Sequence, residues 1–373
     1  MRQLRIAYFT HDSLDEGVGS SQVLGLCKQL AILGHIVTIY SFEKQQPESS
    51  VAKQVIDQNI NWYWFPFESK PFSVVKRIYQ LYRVQGNFDV IHARSDLPAF
   101  SAVLRRNEPV LWDIRSLWAE QKRILNPGKF NRLVMYFMSQ LRRFLSKRVS
   151  AYTTLSSAIV PFLITQYPNL PRISAVIPTC VDLDQFSYSA KFPKKRTALL
   201  SGTYNAIYNF DLIKAFIQLE NRKFGTRIMW ARGRESKNAD SLAIIETLES
   251  KYSEMPQVIE NASFGIAVCR NTLGISLDAA MPTKIAEFLA VGRPVIVNSR
   301  LGDCQALLVN SKVAVVLDDY DGIDDAIQEI TTLIDDDRTP HRCRAIAEEY
   351  FSIREAANQY TKLYQDILDE AQS

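Results

Sequence analysis

The run PTKIAEFLAVGRPVIV, Pro282 to Val297, reads as a helix, a stop and a strand. Proline belongs at a helix start and glycine just past a helix end, so Pro282-Thr283 opens the helix and Gly292 closes it. Pro294 then leads into the apolar strand Val295–Val297. A helix N-terminus offers N–H groups and a partial positive charge, which together favour an anion such as a diphosphate. Lys284 adds a cation on that first turn, and Glu287, one turn on, can accept hydrogen bonds from ribose hydroxyls. The same residues also suit an ordinary αβ unit in which Lys284 and Glu287 form a weak surface pair three residues apart. Which reading holds depends on the rest of the chain.

Outward from this run, short apolar segments alternate with amphipathic ones along all 373 residues, which predicts α/β architecture with parallel sheets. Strands are expected at Ile6–Phe9, Ile36–Tyr40, Asn61–Phe65, Asp89–His92, Val110–Asp113 and Ala151–Thr154. In the second half they are expected at Ala198–Ser201, Thr226–Trp230, Phe264–Val268, Val295–Val297 and Val313–Leu317. A helix is expected from about Ser21 to Leu33. VIPTCVDLDQF and the basic stretch Lys191–Arg196 mark the linker, giving domains at 1–185 and 186–351.

Composition narrows the classes. With 47% hydrophobic and 23% charged residues, the chain can bury two cores. No apolar run approaches the roughly 20 residues that span a bilayer. The opening MRQLRIAYFT reads as a strand rather than a leader, and the five scattered cysteines have no C-x-x-C spacing; both point to a reducing cytosol. The net charge of +4 is unevenly spread. Residues 1–180 hold 22 Lys/Arg against 12 Asp/Glu, and the remainder holds 22 against 28. A basic half suits an anionic membrane surface or a phosphate-bearing acceptor; no nucleic-acid motif accompanies it.

Several landmarks now line up. Asp89-Val-Ile-His92, LWDIRSLWAEQ with Asp113 and Arg115, VIPTCVDLDQF, SGTYNAIYNFDLIKAF and PTKIAEFLAVGRPVIV occur in that order. Together they resemble the family 4 retaining glycosyltransferases of the GT-B fold, which have two facing Rossmann-like domains with a cleft between them. The family's donor helix carries two glutamates separated by seven residues. Glu287 matches the second, while the first position is Ala279, with Asp278 one residue off register, so the run resembles a branch with PTK-x-x-E. The resemblance implies an N-terminal acceptor domain and a C-terminal donor domain, with the last helix, about 352–373, returning to the first. It further implies sugar transfer from a nucleotide diphosphate to a hydroxyl acceptor, with retention and without metal or cofactor. The donor residues would be Thr283, Lys284, Glu287, Arg232 and Gly202; Lys284, Arg232 and Asp113 would carry catalysis. The acceptor would meet Gly17, Gly19, Arg94 and Arg115.

Other constellations keep two readings. Gly17-Val18-Gly19 after a strand, with Glu43 ending the next strand, resembles a dinucleotide fingerprint and hence an NAD-dependent oxidoreductase. Against that, seven residues separate Phe9 from Gly17, and Gln22 stands where the third glycine belongs. A nucleotide-sugar epimerase of the same fold is a nearer alternative. Arg232 and Arg234 could clamp a diphosphate or simply line a solvated loop. Asp182 and Asp184 look like a metal-binding D-x-D pair, but Asp182 is expected to cap a following helix. Asp113 could orient an acceptor hydroxyl or merely pair with Arg115. Finally, Lys129–Ser150 predicts an amphipathic helix. Its stripe Phe130, Leu133, Val134, Phe137, Met138, Leu141, Phe144 and Leu145 should face inward, with Lys129, Arg132, Arg143 and Lys147 outward, toward solvent or anionic lipid.

Overall fold

The computed structural model describes residues 2–14, 17, 19–47, 55, 60–69, 73–106, 108–202, 206–232 and 243–372; the side chains of Arg232 and Gln372 fall outside the description. The chain divides into two compact units, Met1–Pro178 with Ile353–Ser373, and Thr179–Ser352.

In the first unit the strands are β1 (Arg5–Phe9), β2 (Ile36–Glu43), β3 (Asn61–Pro66), β4 (Val90–Arg94), β5 (Val110–Ile114), β6 (Ala151–Thr154) and β7 (Ser174–Val176). Among the described residues they form one sheet in the order β3-β2-β1-β4-β5-β6-β7, parallel throughout. The helices are α1 (Gly25–Ile32), α2 (Ser73–Tyr82), α3 (Asp96–Arg105), α4 (Trp118–Leu125), α5 (Lys129–Leu145) and α6 (Val160–Gln166). A π-helical turn, Gly19–Leu24, leads into α1. β4 and β5 are buried at every position, as expected of central parallel strands covered on both faces.

The second unit runs β8 (Thr197–Ser201), α7 (Phe210–Phe224), β9 (Arg227–Arg232), β10 (Ile245–Glu249), α8 (Met255–Glu260), β11 (Phe264–Ala267), α9 (Ile275–Asp278), α10 (Thr283–Val291), β12 (Val295–Val297), β13 (Ala314–Val316), α11 (Ile323–Asp335) and α12 (Thr339–Tyr350). Its sheet has the order β10-β9-β8-β11-β12-β13, again parallel. Leu200, Phe216, Trp230, Phe264, Ile266 and Ile330 lie at the centre of its core. In each sheet the order reverses once, between β1 and β4 and between β8 and β11. In open α/β sheets, the carboxyl ends of the strands at such a reversal form the ligand-binding crevice.

The last helix, α13 (Ile353–Gln372), belongs to the first unit. It packs on α1, with Ile353 Cδ1 close to Gly25. Its Thr361 hydroxyl lies 3.0 Å from His35 Nε2, and its Tyr364 hydroxyl 2.7 Å from His92 Nδ1.

Eight of the eleven residues of VIPTCVDLDQF, from Thr179 on, fall in the second unit. Thr179 Oγ1 donates to Met281 O (2.9 Å), Val181 N donates to Phe351 O (2.8 Å), and Arg344 reaches the carbonyls of Phe186 and Ala290. These bonds set the division at 178/179, seven residues before the boundary read from sequence. No helix follows Asp182: its carboxylate accepts from the backbone N–H of Asp184 and Gln185, closing a turn in place of the expected helix cap.

Each strand predicted from sequence is present, with ends within three residues of those expected. β7 and β10 are additional. Both are sheet edges, largely exposed, and IETLE offers no apolar run to read. The expected helix from Ser21 to Leu33 is present, with its first part wound as the π turn and its end at Gly34 (φ +91°).

The orientation of α5 is a correction. Phe130 (71% exposed), Leu133 (52%) and Phe137 (61%) point to solvent, whereas Arg142 is completely buried. The helix is turned by roughly a quarter of a circle from its apolar stripe, at 100° per residue. Arg142 decides this. Its Nε donates to Asp96 (2.9 Å) and its Nη1 to Glu120 (2.5 Å), and both carboxylates hold its charge in place.

Candidate functional site

In the second unit, the site builds up around α10. Pro282 (φ −60°, ψ 133°) leads into the helix, and Gly292 (φ +94°) ends it in the left-handed conformation that glycine adopts without strain. Gly292 N donates to Leu289 O and Arg293 N to Phe288 O, capping the last turn. Gly265 on β11 has no side chain to keep the Phe288 ring away, so α10 lies tight against the sheet. Every residue from Lys284 to Val291 is buried. The pattern is therefore not a surface αβ unit: Lys284 and Glu287 are each only 7% exposed.

Two charged groups in such a place need surroundings that hold them. Lys284 Nζ lies 4.2 Å from the centre of the Tyr208 ring, a cation–π contact. Burial lowers its pKa to about 8, with the Cys269 and Glu287 side chains pulling the other way. Burial raises Glu287 to about 7, opposed by Lys284. Tyr208 is held by a bridge to Cys269, with Asn209 N bonded to Val268 O (3.1 Å) and Arg270 N to Ile207 O (2.8 Å). The fully buried Asn298, just past β12, fixes Cys269 from both sides: its Oδ1 accepts from Cys269 N (2.5 Å) and its Nδ2 donates to Cys269 O (3.0 Å). Cys269 and Asn298 carry no periodic or motif signal in the sequence, and Tyr208, although inside the landmark SGTYNAIYNFDLIKAF, is not singled out by it.

Gly202 follows β8 with φ +76°; its carbonyl accepts from Trp230 Nε1 (2.9 Å). Thr283 opens α10 and is half-buried. Arg232 ends β9, so its backbone is at the carboxyl edge of the sheet. Its side chain, and all of Arg234, lie outside the described residues. Ala279 is buried, and Asp278 is paired with Arg300 (3.0 Å).

The first unit gathers a second group at the carboxyl ends of β1, β4 and β5. Asp113 is fully buried and accepts from Thr153 Oγ1 (2.8 Å); Arg115 Nε lies 2.7 Å away, Arg94 Nη1 3.8 Å and Tyr360 OH 3.4 Å. Burial opposes its charge, but Arg115, His92 and Arg94 hold its pKa well below the usual carboxylate range. Burial lowers the pKa of His92, opposed by Asp113, and its ring nitrogens contact Tyr364 and Asp113. Arg94 Nε donates to Asp12 (2.7 Å) in the loop after β1. The next residue, Ser95, has φ 76° and ψ 175°, a region that costs a non-glycine residue about 1–3 kcal/mol. Its N–H is bonded to Asp113 O (2.9 Å), which ties the β4 and β5 ends together.

Gly17 has φ +55°, Val18 lies outside the described residues, and a side chain on Gly19 would collide with the Ser13 carbonyl. Glu43, the strand-end carboxylate of the dinucleotide-like pattern, is occupied by its own chain. It accepts from Ser13 Oγ, Leu14 N (3.1 Å) and Ser41 Oγ (2.5 Å) and is 1% exposed.

Residues 19–185 match the model of Glycosyltransferase Family 4. That is just under half of the chain. No curated protein matches the sequence at a significant level. Among solved structures, the chain is similar to sucrose-phosphate synthase from Thermosynechococcus elongatus, with TM-score 0.73 and 12% identity over 99% of this chain and 100% of that one. A glycosyltransferase from Rickettsia africae aligns with TM-score 0.70 and 15% identity over 99% of both chains. HepE from Anabaena, in complex with UDP and glucose, aligns with TM-score 0.65 and 12% identity, covering 98% of this chain and 100% of that one. The chain thus has the two-domain GT-B fold of these proteins along its whole length. Taken with the family match, these findings support a glycosyltransferase resembling family 4.

Proposed function

We propose that the protein is a metal-independent, retaining hexosyltransferase using a nucleotide diphosphate sugar and a hydroxyl acceptor on a lipid-linked or cell-surface glycan precursor. The observation that carries the donor half is the buried pair Lys284 and Glu287 on the first turns of α10, beside the strand reversal between β8 and β11. The Lys284 ammonium and the first-turn N–H groups of α10 receive the diphosphate. Negative charge on the leaving oxygen grows as the bond to the sugar breaks, so a fixed cation there stabilises the transition state more than the bound donor. Glu287 accepts from the ribose hydroxyls. Thr283 and Gly202 line the donor. The complex of HepE with UDP and glucose supports a nucleotide-sugar donor.

The acceptor is presented by the first unit. Arg94 and Arg115 meet its phosphate, and Gly17 and Gly19 lie against it. Asp113, enclosed as it is, acts as a positioning residue that holds both arginines. Such an acceptor at a bilayer surface places the protein at the inner face of the cytoplasmic membrane, attached peripherally. No helix among the described residues is long and apolar enough to cross a membrane.

Thermal-shift titration with UDP, GDP, ADP and their sugars should raise the melting temperature for one nucleotide series, because a ligand selective for the native state stabilises it by mass action. Transfer from that donor to a polyprenyl-phosphate-linked sugar should survive EDTA, with the anomeric configuration retained. Activity abolished by EDTA and restored by Mn²⁺ would overturn the metal-free chemistry. Release of an epimer without acceptor would identify an epimerase, and NADH binding without nucleotide-sugar binding an oxidoreductase.

A further inference from the structure

The exposed side of α5 is chemically unlike an ordinary solvated helix face. Phe130, Leu133, Tyr136 and Phe137 are between 52% and 71% exposed within two turns. Lys129 and Arg132 stand exposed among them, and no Asp or Glu occurs from Gln121 to Ser150. Trp118, on the neighbouring α4, is 49% exposed, with Lys122 Nζ 4.7 Å from the centre of its ring. The helix layer α2–α3–α5 is continuous by contact, so this is the outer side of one face of the first sheet. Apolar groups left in water lose roughly 25 cal/mol for each Å² that could have been buried, and a cluster of large ones marks an interaction surface.

From this surface we infer that α5 docks the first unit onto an anionic bilayer by inserting Phe130, Leu133 and Phe137 below the headgroups while Lys129 and Arg132 pair with lipid phosphates. This rests on the lipid-linked acceptor reading and deepens it: attachment is by insertion, not by charge alone. An interfacial helix has this composition, with large apolar side chains beside a basic arc, and Trp and Tyr favour the headgroup level. A second copy of the chain is disfavoured by charge, because a two-fold contact through α5 would set Lys129 and Arg132 against themselves. The basic surplus of residues 1–180 favours an anionic partner over a neutral one.

Flotation with vesicles of roughly equimolar phosphatidylglycerol and phosphatidylcholine tests this directly. The wild-type protein floats with them, far less with phosphatidylcholine alone, and a fraction stays bound at roughly half-molar NaCl because insertion is not screened as surface charge is. The triple variant Phe130→Ser, Leu133→Ser, Phe137→Ser loses binding by about a hundredfold or more, in line with the cost of withdrawing three apolar side chains. Its melting temperature and nucleotide response remain those of the wild type, since all three side chains are exposed. A bimane probe on Leu133→Cys shifts to the blue on binding; all five native cysteines are buried and leave that position selective. Wild-type affinity in the triple variant would overturn the inference, as would complete salt reversal without a blue shift. So would a concentration-dependent dimer that the triple variant abolishes. Vesicle binding with no transfer to any lipid acceptor would instead sink the acceptor reading and leave docking intact.

Discussion

Lys284 and Glu287 have been moved toward one another on the pH scale by the same cause, loss of water around a charge. The lysine drops to about 8 and the glutamate rises to about 7. On the proposed donor role, binding needs the ammonium, so it weakens as pH rises through about 8. It also needs the carboxylate as ribose acceptor, so it weakens as pH falls through about 7. The prediction is a narrow bell in kcat/KM for the donor, peaking between those limbs. Lys284→Arg should carry the alkaline limb beyond the measurable range, and Glu287→Gln should remove the acidic limb. Glu287→Ala should cost about 1.5–3 kcal/mol of donor binding by calorimetry, the usual worth of a hydrogen bond to a charged group. A profile flat from about pH 6 to 9 would show that neither group handles the donor. The types and spacing of these residues were readable; their burial was not. A lysine and a glutamate three apart are usually a solvated pair, and only the packing of α10 between sheet and α12 withdraws them from water.

Among the elements, α5 departs furthest from its own sequence. Its apolar stripe is regular, and periodicity alone would bury it. One residue overrides the pattern, because leaving the Asp96 and Glu120 carboxylates without their cation costs more than exposing a few apolar side chains. Arg142 brings Asp96 of α3 and Glu120 of α4 onto α5, and the rotation that permits this turns Phe130 and Phe137 outward. Arg142→Ala should therefore destabilise the first unit by about 3–5 kcal/mol in urea unfolding, since it strands two carboxylates at a buried site. A loss below about 1 kcal/mol would mean that the pairs do not orient the helix. Nothing in the spacing of KFNRLVMYFMSQLRRFL marks Arg142 apart from Arg143. Their difference lies in Asp96 and Glu120, 46 and 22 residues away.

For the whole molecule, the two units differ in how the chain closes them. Thr179–Ser352 is continuous and contains Gly202, Tyr208, Cys269, Lys284, Glu287 and Asn298. Produced alone, that fragment should unfold cooperatively and keep its nucleotide thermal shift. Residues 1–178 alone should fail to fold, because α13 supplies the Thr361 and Tyr364 hydroxyls that meet the buried His35 and His92 and the apolar cover of α1. Adding residues 353–373 through a short linker should restore cooperative unfolding by circular dichroism. A cooperative 1–178 fragment would show that the last helix is an accessory.

By itself the sequence determined what short-range chemistry dictates: parallel strands from apolar runs, the start and stop of α10 from Pro282 and Gly292, and a cation and a carboxylate one turn apart. The tertiary structure alone decided what depends on distant residues. Asn298 holding Cys269, Tyr208 beneath Lys284, Glu43 closing on Ser13 and Leu14 and Arg142 choosing the buried side of α5 are all such choices. The physical reason is the same in each case. A buried polar group must find its partner wherever the fold brings one, and sequence separation carries no record of that search.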